Sequence, residues 1–404
     1  MIHQPPAGAR DLLPLEVVQK SWINDRLQQV FAQWGYQRIV TSTLEWLDTL
    51  MAGGAIERST VVQLQDNSEG TLGLRPELTA SIARAAVTRM EAKTYPQRLC
   101  YRANVFRQPP AGHHGRQMEF YQAGVELLFA GGVVADAEVL LLLVDCLHQL
   151  GLQQWQLLLG EVGLTRSLLS PFPEPLKQEI RHCLAHLDRV ALENLELTSE
   201  QQERALLLFD LRGRPEDVLQ QVAQLELDET GQQIVQNLKT LVELLNSSRP
   251  EPLPLILDLS LLQTFDYYTG IVFDVVSRGD RSSRIVGQGG RYDRLLGLYH
   301  PHKQDSPGIG FSFYLEDLYT CLLASNALPT EAPMSHWLVI PDSSQADAAA
   351  FAYAQTLRAE GVVRVEMELK RRSPEQIREY ARQRRIKYLA WVKGDGIPKI
   401  EAVS

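Results

Sequence analysis

Strand-type patterning in this chain stops near residue 128 and resumes at residue 255, with helix-forming sequence between the two. No other feature constrains the fold as much, because strands on both sides of the gap have to complete one sheet around an insertion. Residues 98–107 and 117–128 read as two strands joined by a polar loop that carries Pro109, Pro110 and Gly112, and a helix follows over 135–150. Residues 171 to about 247 are rich in Leu, Gln and Glu and read as one helix after another. Strand signals return at 255–259, 271–277 and 308–313. The expected fold class is α+β, a mostly antiparallel sheet with flanking helices and a helical insertion.

The flanks fit that plan. Val18, Ile23, Leu27, Val30, Phe31 and Trp34 stand near helical spacing in a helix over 16–34, which Gly35 stops before a short strand at 36–40. Residues 61–65 and 71–74 flank Asp66-Asn67-Ser68-Glu69-Gly70 and read as a hairpin, and 78–90 reads as a helix. Beyond a polar, proline-bearing stretch the chain alternates strand (337–340), helix (345–360), strand (362–365), helix (374–384) and strand (388–392). The expected division is a core over 1–325 with its insertion at about 171–247, a linker over 326–335 and a small α/β domain over 336–404.

Several function classes recede on composition. Cys100, Cys146, Cys183 and Cys321 are far apart and form no CxxC pair, as in a reduced cytosolic protein without a disulfide framework. The apolar run 139–144 is far too short to span a bilayer, and residues 1–6 lack a signal-peptide layout, so a cytoplasmic location is expected. A net charge of −9 disfavours a dominant nucleic-acid role. His182, Cys183 and His186 share a helical stretch, but no third and fourth ligand is near and no metal site is expected. His113-His114 reads as a solvated loop pair. From His336 onward there are 12 Lys and Arg against 9 Asp and Glu, and Arg378, Arg382 and Arg385 are expected on one helix face, either solvated or docking a partner.

Three blocks carry a resemblance. They are Leu74-Arg75-Pro76-Glu77-Leu78-Thr79-Ala80; Tyr101-Arg102-Ala103-Asn104-Val105-Phe106-Arg107 with Gly115 through Glu126; and Asp266-Tyr267-Tyr268-Thr269-Gly270 with Gly289-Gly290-Arg291-Tyr292-Asp293. In this order they resemble histidyl-tRNA synthetase, a class II aminoacyl-tRNA synthetase, over roughly residues 5 to 325, and the last domain resembles a shortened anticodon-binding domain. The resemblance implies a histidine site made of Glu77, Thr79, Arg107, Gln122, Glu126 and Tyr268. Glu77, Thr79 and Gln122 fall around the ammonium, Glu126 and Tyr268 at the imidazole, and glycines 287, 289 and 290 where backbone approaches the ligand. Bland readings stand beside these: Glu77 as a helix-start acid, Glu119, Gln122 and Glu126 as solvent-facing strand positions, Tyr267 and Tyr268 as one core and one surface tyrosine.

The resemblance fails where a synthetase holds ATP. Gln263 and Asp317 fall where the family has phosphate-binding arginines, Pro109 where it has an acid, and Tyr314 where it has a glycine; Arg107 alone of three arginines remains. An aspartate in place of an arginine turns an attraction of about 1–4 kcal/mol into a comparable repulsion. This pattern resembles the family's non-catalytic branch, the regulatory subunits of ATP phosphoribosyltransferase, which acts first in histidine biosynthesis. The implied partner is the short-form catalytic subunit, in a hetero-oligomer of four plus four built on a homodimer, with histidine as feedback ligand and neither cofactor nor tRNA. Ser42 stands where the family's dimer interface has a proline. The alternatives are a histidyl-tRNA synthetase and a paralogue that adenylates histidine.

Overall fold

The computed structural model describes residues 3, 5–54, 56–65, 70–90, 96–108, 117–186, 188–225, 227–261, 267–278 and 283–403. Gln97–Phe106 and Glu119–Leu128 pair antiparallel over their full lengths, from Gln97 opposite Leu128 to Phe106 opposite Glu119. They lie in a nine-stranded sheet made of β1 (Gln37–Arg38), β2 (Gln97–Phe106), β3 (Glu119–Leu128), β4 (Trp155–Glu161), β5 (Arg212–Gly213), β6 (Leu255–Asp258), β7 (Ile271–Arg278), β8 (Ser283–Arg291) and β9 (Gly308–Tyr314). The spatial order is β1-β2-β3-β9-β8-β7-β4-β6-β5.

Among the described residues of this sheet, only the β1–β2 and β4–β6 pairs are parallel. A parallel neighbour cannot be reached by a tight turn. The helical insertion, Glu174–Ala185 through Glu229–Ser247, fills the crossover from β4 to β6, which closes with Leu157 opposite Leu255. The expected strand at 36–40 shrinks to Gln37–Arg38, and the strands at 155–161 and 283–291 were not foreseen.

Alternation along the strands feeds two cores. Ala123, Val125 and Leu127 of β3 join Ile309, Phe311 and Phe313 of β9 against Ile23, Leu27 and Phe31 of the helix Pro14–Gln33. The helices Val133–Gln149 and Leu315–Ala324 complete that layer. Val134, Glu138, Leu141, Asp145 and His148 form the outer stripe of the first of these helices, while Val139, Leu140, Leu142, Leu143 and Val144 have no exposed surface. Each such side chain contributes roughly 1.5–3 kcal/mol of burial. Among the described residues, no helix is long and apolar enough to cross a membrane.

On the opposite face, Leu78 at the N-cap and Ile82 and Ala86 of the helix Thr79–Arg89 pack with Tyr101, Val105, Tyr268, Val272 and Tyr292. The candidate site lies in this layer. A three-stranded sheet leads the chain to it, with Thr71–Leu74 between Leu44–Trp46 and Gln63–Gln65.

The chain divides into two compact units, one up to Leu328 and one from Pro329. The second has a four-stranded sheet, Val365–Met367, Trp337–Pro341, Tyr388–Val392 and Pro398–Ala402 in spatial order, with helices Asp347–Ala359 and Pro374–Gln383. Ser373 and Gln376 form a capping box, with Pro374 at the first helical position. This helix ends at Gln383 and Arg385 takes a left-handed φ of 52°, so the expected common face of Arg378, Arg382 and Arg385 does not form. Each of these arginines faces a carboxylate instead: Arg378 Glu401, Arg382 Glu379 and Arg385 Glu331.

Candidate functional site

The turn into the helix Thr79–Arg89 is pinned by a buried cation. Arg75 donates from Nε to the Asn104 carbonyl at 2.9 Å and from Nη1 to the carbonyls of Thr41 and Ser42 at 2.9 and 3.2 Å. Two residues on, the Glu77 carboxylate accepts the backbone N–H groups of Thr79 at 2.6 Å and Ala80 at 2.8 Å. Glu77 is therefore a helix-start acid in the sense of the bland reading, and it also lines the pocket. Burial raises its pKa, while these N–H groups and Arg107 pull it back.

Gln122 and Glu126 are not solvent-facing. They are 3% and 1% exposed, because their side of β3 faces the second core. Glu126 accepts a hydrogen bond from Thr79 Oγ1 at 2.8 Å and another from the Tyr292 hydroxyl. Burial, with a further push from Glu77, lifts its pKa to about 8 against the pull of both hydroxyls.

Two glycines make room for this arrangement. A Cβ on Gly310, directly opposite Glu126, would stand 2.0 Å from its Oε2, and one on Gly290 would stand 2.7 Å from the Tyr268 ring. Glycines 287, 289 and 290, expected where backbone approaches the ligand, also have a packing role. A Cβ at 287 would meet the Phe313 ring and one at 289 the Phe273 ring, so these positions accommodate the protein's own core; only Gly289 also lines the pocket.

The aromatic wall is buried on both sides of the tyrosine pair. Tyr268 is 6% exposed, and the Tyr267 ring lies 4.8 Å from Tyr268 and 5.8 Å from Tyr292. Burial pushes all three phenols up, so they act as neutral hydroxyls. The Thr269 hydroxyl donates to Asp293 at 2.9 Å, and Arg291 bridges Asp293 and Asp136, each at 3.0 Å. This network joins the Tyr-Tyr-Thr-Gly and Gly-Gly-Arg-Tyr-Asp blocks. Asp266 lies outside the described residues.

All six residues expected at a histidine site, Glu77, Thr79, Arg107, Gln122, Glu126 and Tyr268, line one pocket. Sequence reasoning missed Gln288, Gly310, Phe311 and Ser312 as lining residues. Tyr101 and Tyr292 stood in quoted blocks without a role, and Tyr314 was seen only as a departure from the family.

Beside the pocket is a wider cleft, and Arg107, Gln288 and Tyr314 line both. Asp317 faces this cleft and pairs with Arg284 at 2.9 Å, so an arginine that reaches the cleft is neutralised there. Glu316 holds the buried Lys20 ammonium at 2.8 Å and accepts the Tyr121 N–H beside Gln122. Pro109, Gln263 and His113-His114 lie outside the described residues. Among the described residues no group of three metal-ligating side chains forms, although the His182 and His186 rings approach to 4.2 Å.

Comparison with known proteins places this geometry. The family model for histidyl-tRNA synthetase matches residues 8–318. ATP phosphoribosyltransferase regulatory subunits from Gloeothece citriformis and Rippkaea orientalis are 69% and 67% identical, with 100% of each chain covered. The crystal structure of an ATP phosphoribosyltransferase regulatory subunit/histidyl-tRNA synthetase from Bacillus halodurans superposes with a TM-score of 0.82 at 29% identity, covering 98% of this chain and 99% of that one. A histidyl-tRNA synthetase from Nostoc, 19% identical with a TM-score of 0.79 over 99% of this chain and 97% of that one, shares the fold.

Proposed function

The chain belongs to the histidyl-tRNA synthetase family, among its ATP phosphoribosyltransferase regulatory subunits, and we propose that it senses free histidine in the Glu77–Glu126 pocket and relays feedback inhibition to a catalytic partner. The observation that carries this reading is the contrast between two neighbouring cavities. One brings two buried carboxyl groups, a lone guanidinium and neutral hydroxyls to the walls of a single pocket. The other, where a nucleotide would have to sit, shares Arg107 with the pocket and adds Arg10 and Arg284, but Arg284 is paired to Asp317 and Arg10 to Glu16.

In this reading Glu77, Thr79 and Gln122 surround the ligand ammonium, and Glu126 and Tyr268 face the imidazole, whose two nitrogens offer a donor and an acceptor. The partner is a short-form transferase, joined to a homodimer of this chain in a larger assembly of four plus four, in the cytoplasm, without tRNA. The alternative reading, adenylation of histidine by a synthetase or a paralogue, needs fixed positive charge at the triphosphate, and Asp317 opposes it.

Feedback is a coupling free energy between two sites, so binding and inhibition have to move together. The test combines the purified chain with the short-form transferase, follows their common peak by size-exclusion chromatography with light scattering, and titrates transferase activity with histidine. A shared peak whose activity falls as histidine saturates this chain is expected. Separate peaks refute the partner, and inhibition indifferent to Glu77→Ala refutes the pocket.

A further inference from the structure

The pocket is electrically polar along its length. Among the described residues that line it, Arg107 is the only cation, while Glu77 and Glu126 supply two carboxylates. Arg107 is anchored by its Nε, which donates to the Pro76 carbonyl at 2.8 Å, and its guanidinium lies 5.4 Å from the centre of the Phe120 ring. It also acts electrostatically on Glu77. An α-amino acid carries its ammonium and carboxylate two bonds apart. A ligand whose ammonium meets Glu77 therefore presents its carboxylate to Arg107.

What lies behind that carboxylate decides which ligands fit. Arg107, Gln288 and Tyr314 are the residues common to the pocket and the cleft, so together they form the partition between them. The partition is bonded shut: the Tyr314 hydroxyl donates to Gln288 Oε1, its phenol oxygen also meets the Arg107 guanidinium, and its ring leans on Phe120 at 6.5 Å. Gln288 on β8 and Tyr314 at the end of β9 come from adjacent strands of the sheet, which fixes the spacing of the bond.

We propose that Tyr314 is a specificity-determining residue which closes the carboxylate end of the pocket, so that the site takes only an amino acid with a free, unextended carboxylate. This inference rests on the histidine reading above and deepens it. An ester or any larger group on the carboxyl carbon runs into the ring of Tyr314, which leans on Phe120. A sensor built this way reports the free amino acid and ignores its activated or esterified forms.

Calorimetry on the full chain separates charge from size with three probes: L-histidine, histidinol, which is neutral and small at that end, and L-histidine methyl ester, which is neutral and larger. Wild type should bind histidine about tenfold or more tighter than histidinol, the loss at Arg107, and histidinol about tenfold or more tighter than the ester. Tyr314→Ala should bring the ester to within about threefold of histidinol, while Tyr314→Phe, which keeps the bulk, should leave the gap. Tyr314→Gly serves as second opening variant, with a thermal melt of each to verify folding. An ester that matches histidinol on the wild type, or a gap untouched in both opening variants, overturns the partition and leaves histidine binding standing. A wild type that binds none of the three overturns the histidine reading and this inference with it.

Discussion

If the pocket takes histidine as proposed, Glu126 should make that binding a proton-releasing event. Its carboxyl is held at about 8 because it is buried beside Glu77. At about pH 7.5 such a group is roughly three-quarters protonated, whereas an ordinary glutamate is ionised. A ligand N–H directed at this carboxyl favours the ionised form, so binding expels up to roughly 0.75 of a proton at that pH. Affinity should follow the ionised fraction and rise about fivefold between pH 7 and 8, until loss of the ligand's own ammonium proton opposes binding at higher pH. The sign is fixed: a carboxyl with a raised pKa opposes binding below that pKa and ceases to oppose it above. Isothermal titration in buffers of different ionisation enthalpy gives the proton count directly as a slope. Glu126→Gln keeps the size of the side chain and removes the titration, so its slope retains only the ligand's own protons. A wild-type slope equal to that of Glu126→Gln, or proton uptake in place of release, would refute the reasoning.

Other outcomes follow from the same geometry. Glu77→Ala should weaken histidine by about tenfold or more, from the loss of a charge-assisted contact of about 1.5–3 kcal/mol, while transferase activity persists in the complex and its inhibition curve moves to higher histidine. Because Glu77 also receives the N–H groups of Thr79 and Ala80, Glu77→Gln separates lost charge from a frayed helix start in the same titration. The purified chain should show no histidine-dependent ATP–pyrophosphate exchange, and robust exchange would restore the synthetase reading. Arg75→Ala should cost about 2–4 kcal/mol in urea unfolding, since it strips three backbone carbonyls of a buried donor; a loss within experimental error would mean that water replaces the guanidinium.

Much of the sheet was legible because its strands alternate cleanly. Ala123, Val125 and Leu127 alternate with Gln122, Gly124 and Glu126, and both sets are buried, one against helices and one in the pocket. Ser283–Arg291 was not legible, since Gly287, Gly289 and Gly290 give it poor strand propensity. Those glycines are there because the rings of Phe313, Phe273 and Tyr268 occupy the space of their missing side chains, a tertiary reason with no local signature. Leu157, Leu158 and Leu159 in Trp155–Glu161 suit a helix as well as a strand, and their parallel pairing with Leu255–Asp258 depends on sequence about a hundred residues away. The six expected ligand residues came from motif resemblance, not from spacing. The Tyr314–Gln288 bond joins two strands and was invisible to any single segment.

Stability alone does not account for Glu77 and Glu126. Two carboxyls buried in one pocket raise the free energy of the empty fold, and an apolar pair of similar volume would pack there at lower cost. The hydroxyls of Thr79 and Tyr292 and the N–H groups of the Thr79–Arg89 helix soften that cost without cancelling it, since the pKa of Glu126 remains raised despite them. A cation supplied from outside cancels more of it than any residue lining the pocket, because the one guanidinium present is tied to Pro76 and Tyr314 at the opposite end. The same imbalance gives a bound ligand its leverage. A site that is poorly satisfied when empty and well satisfied when filled differs between its two states by a large free energy, and that difference is the only quantity a regulatory subunit has to pass on to a partner.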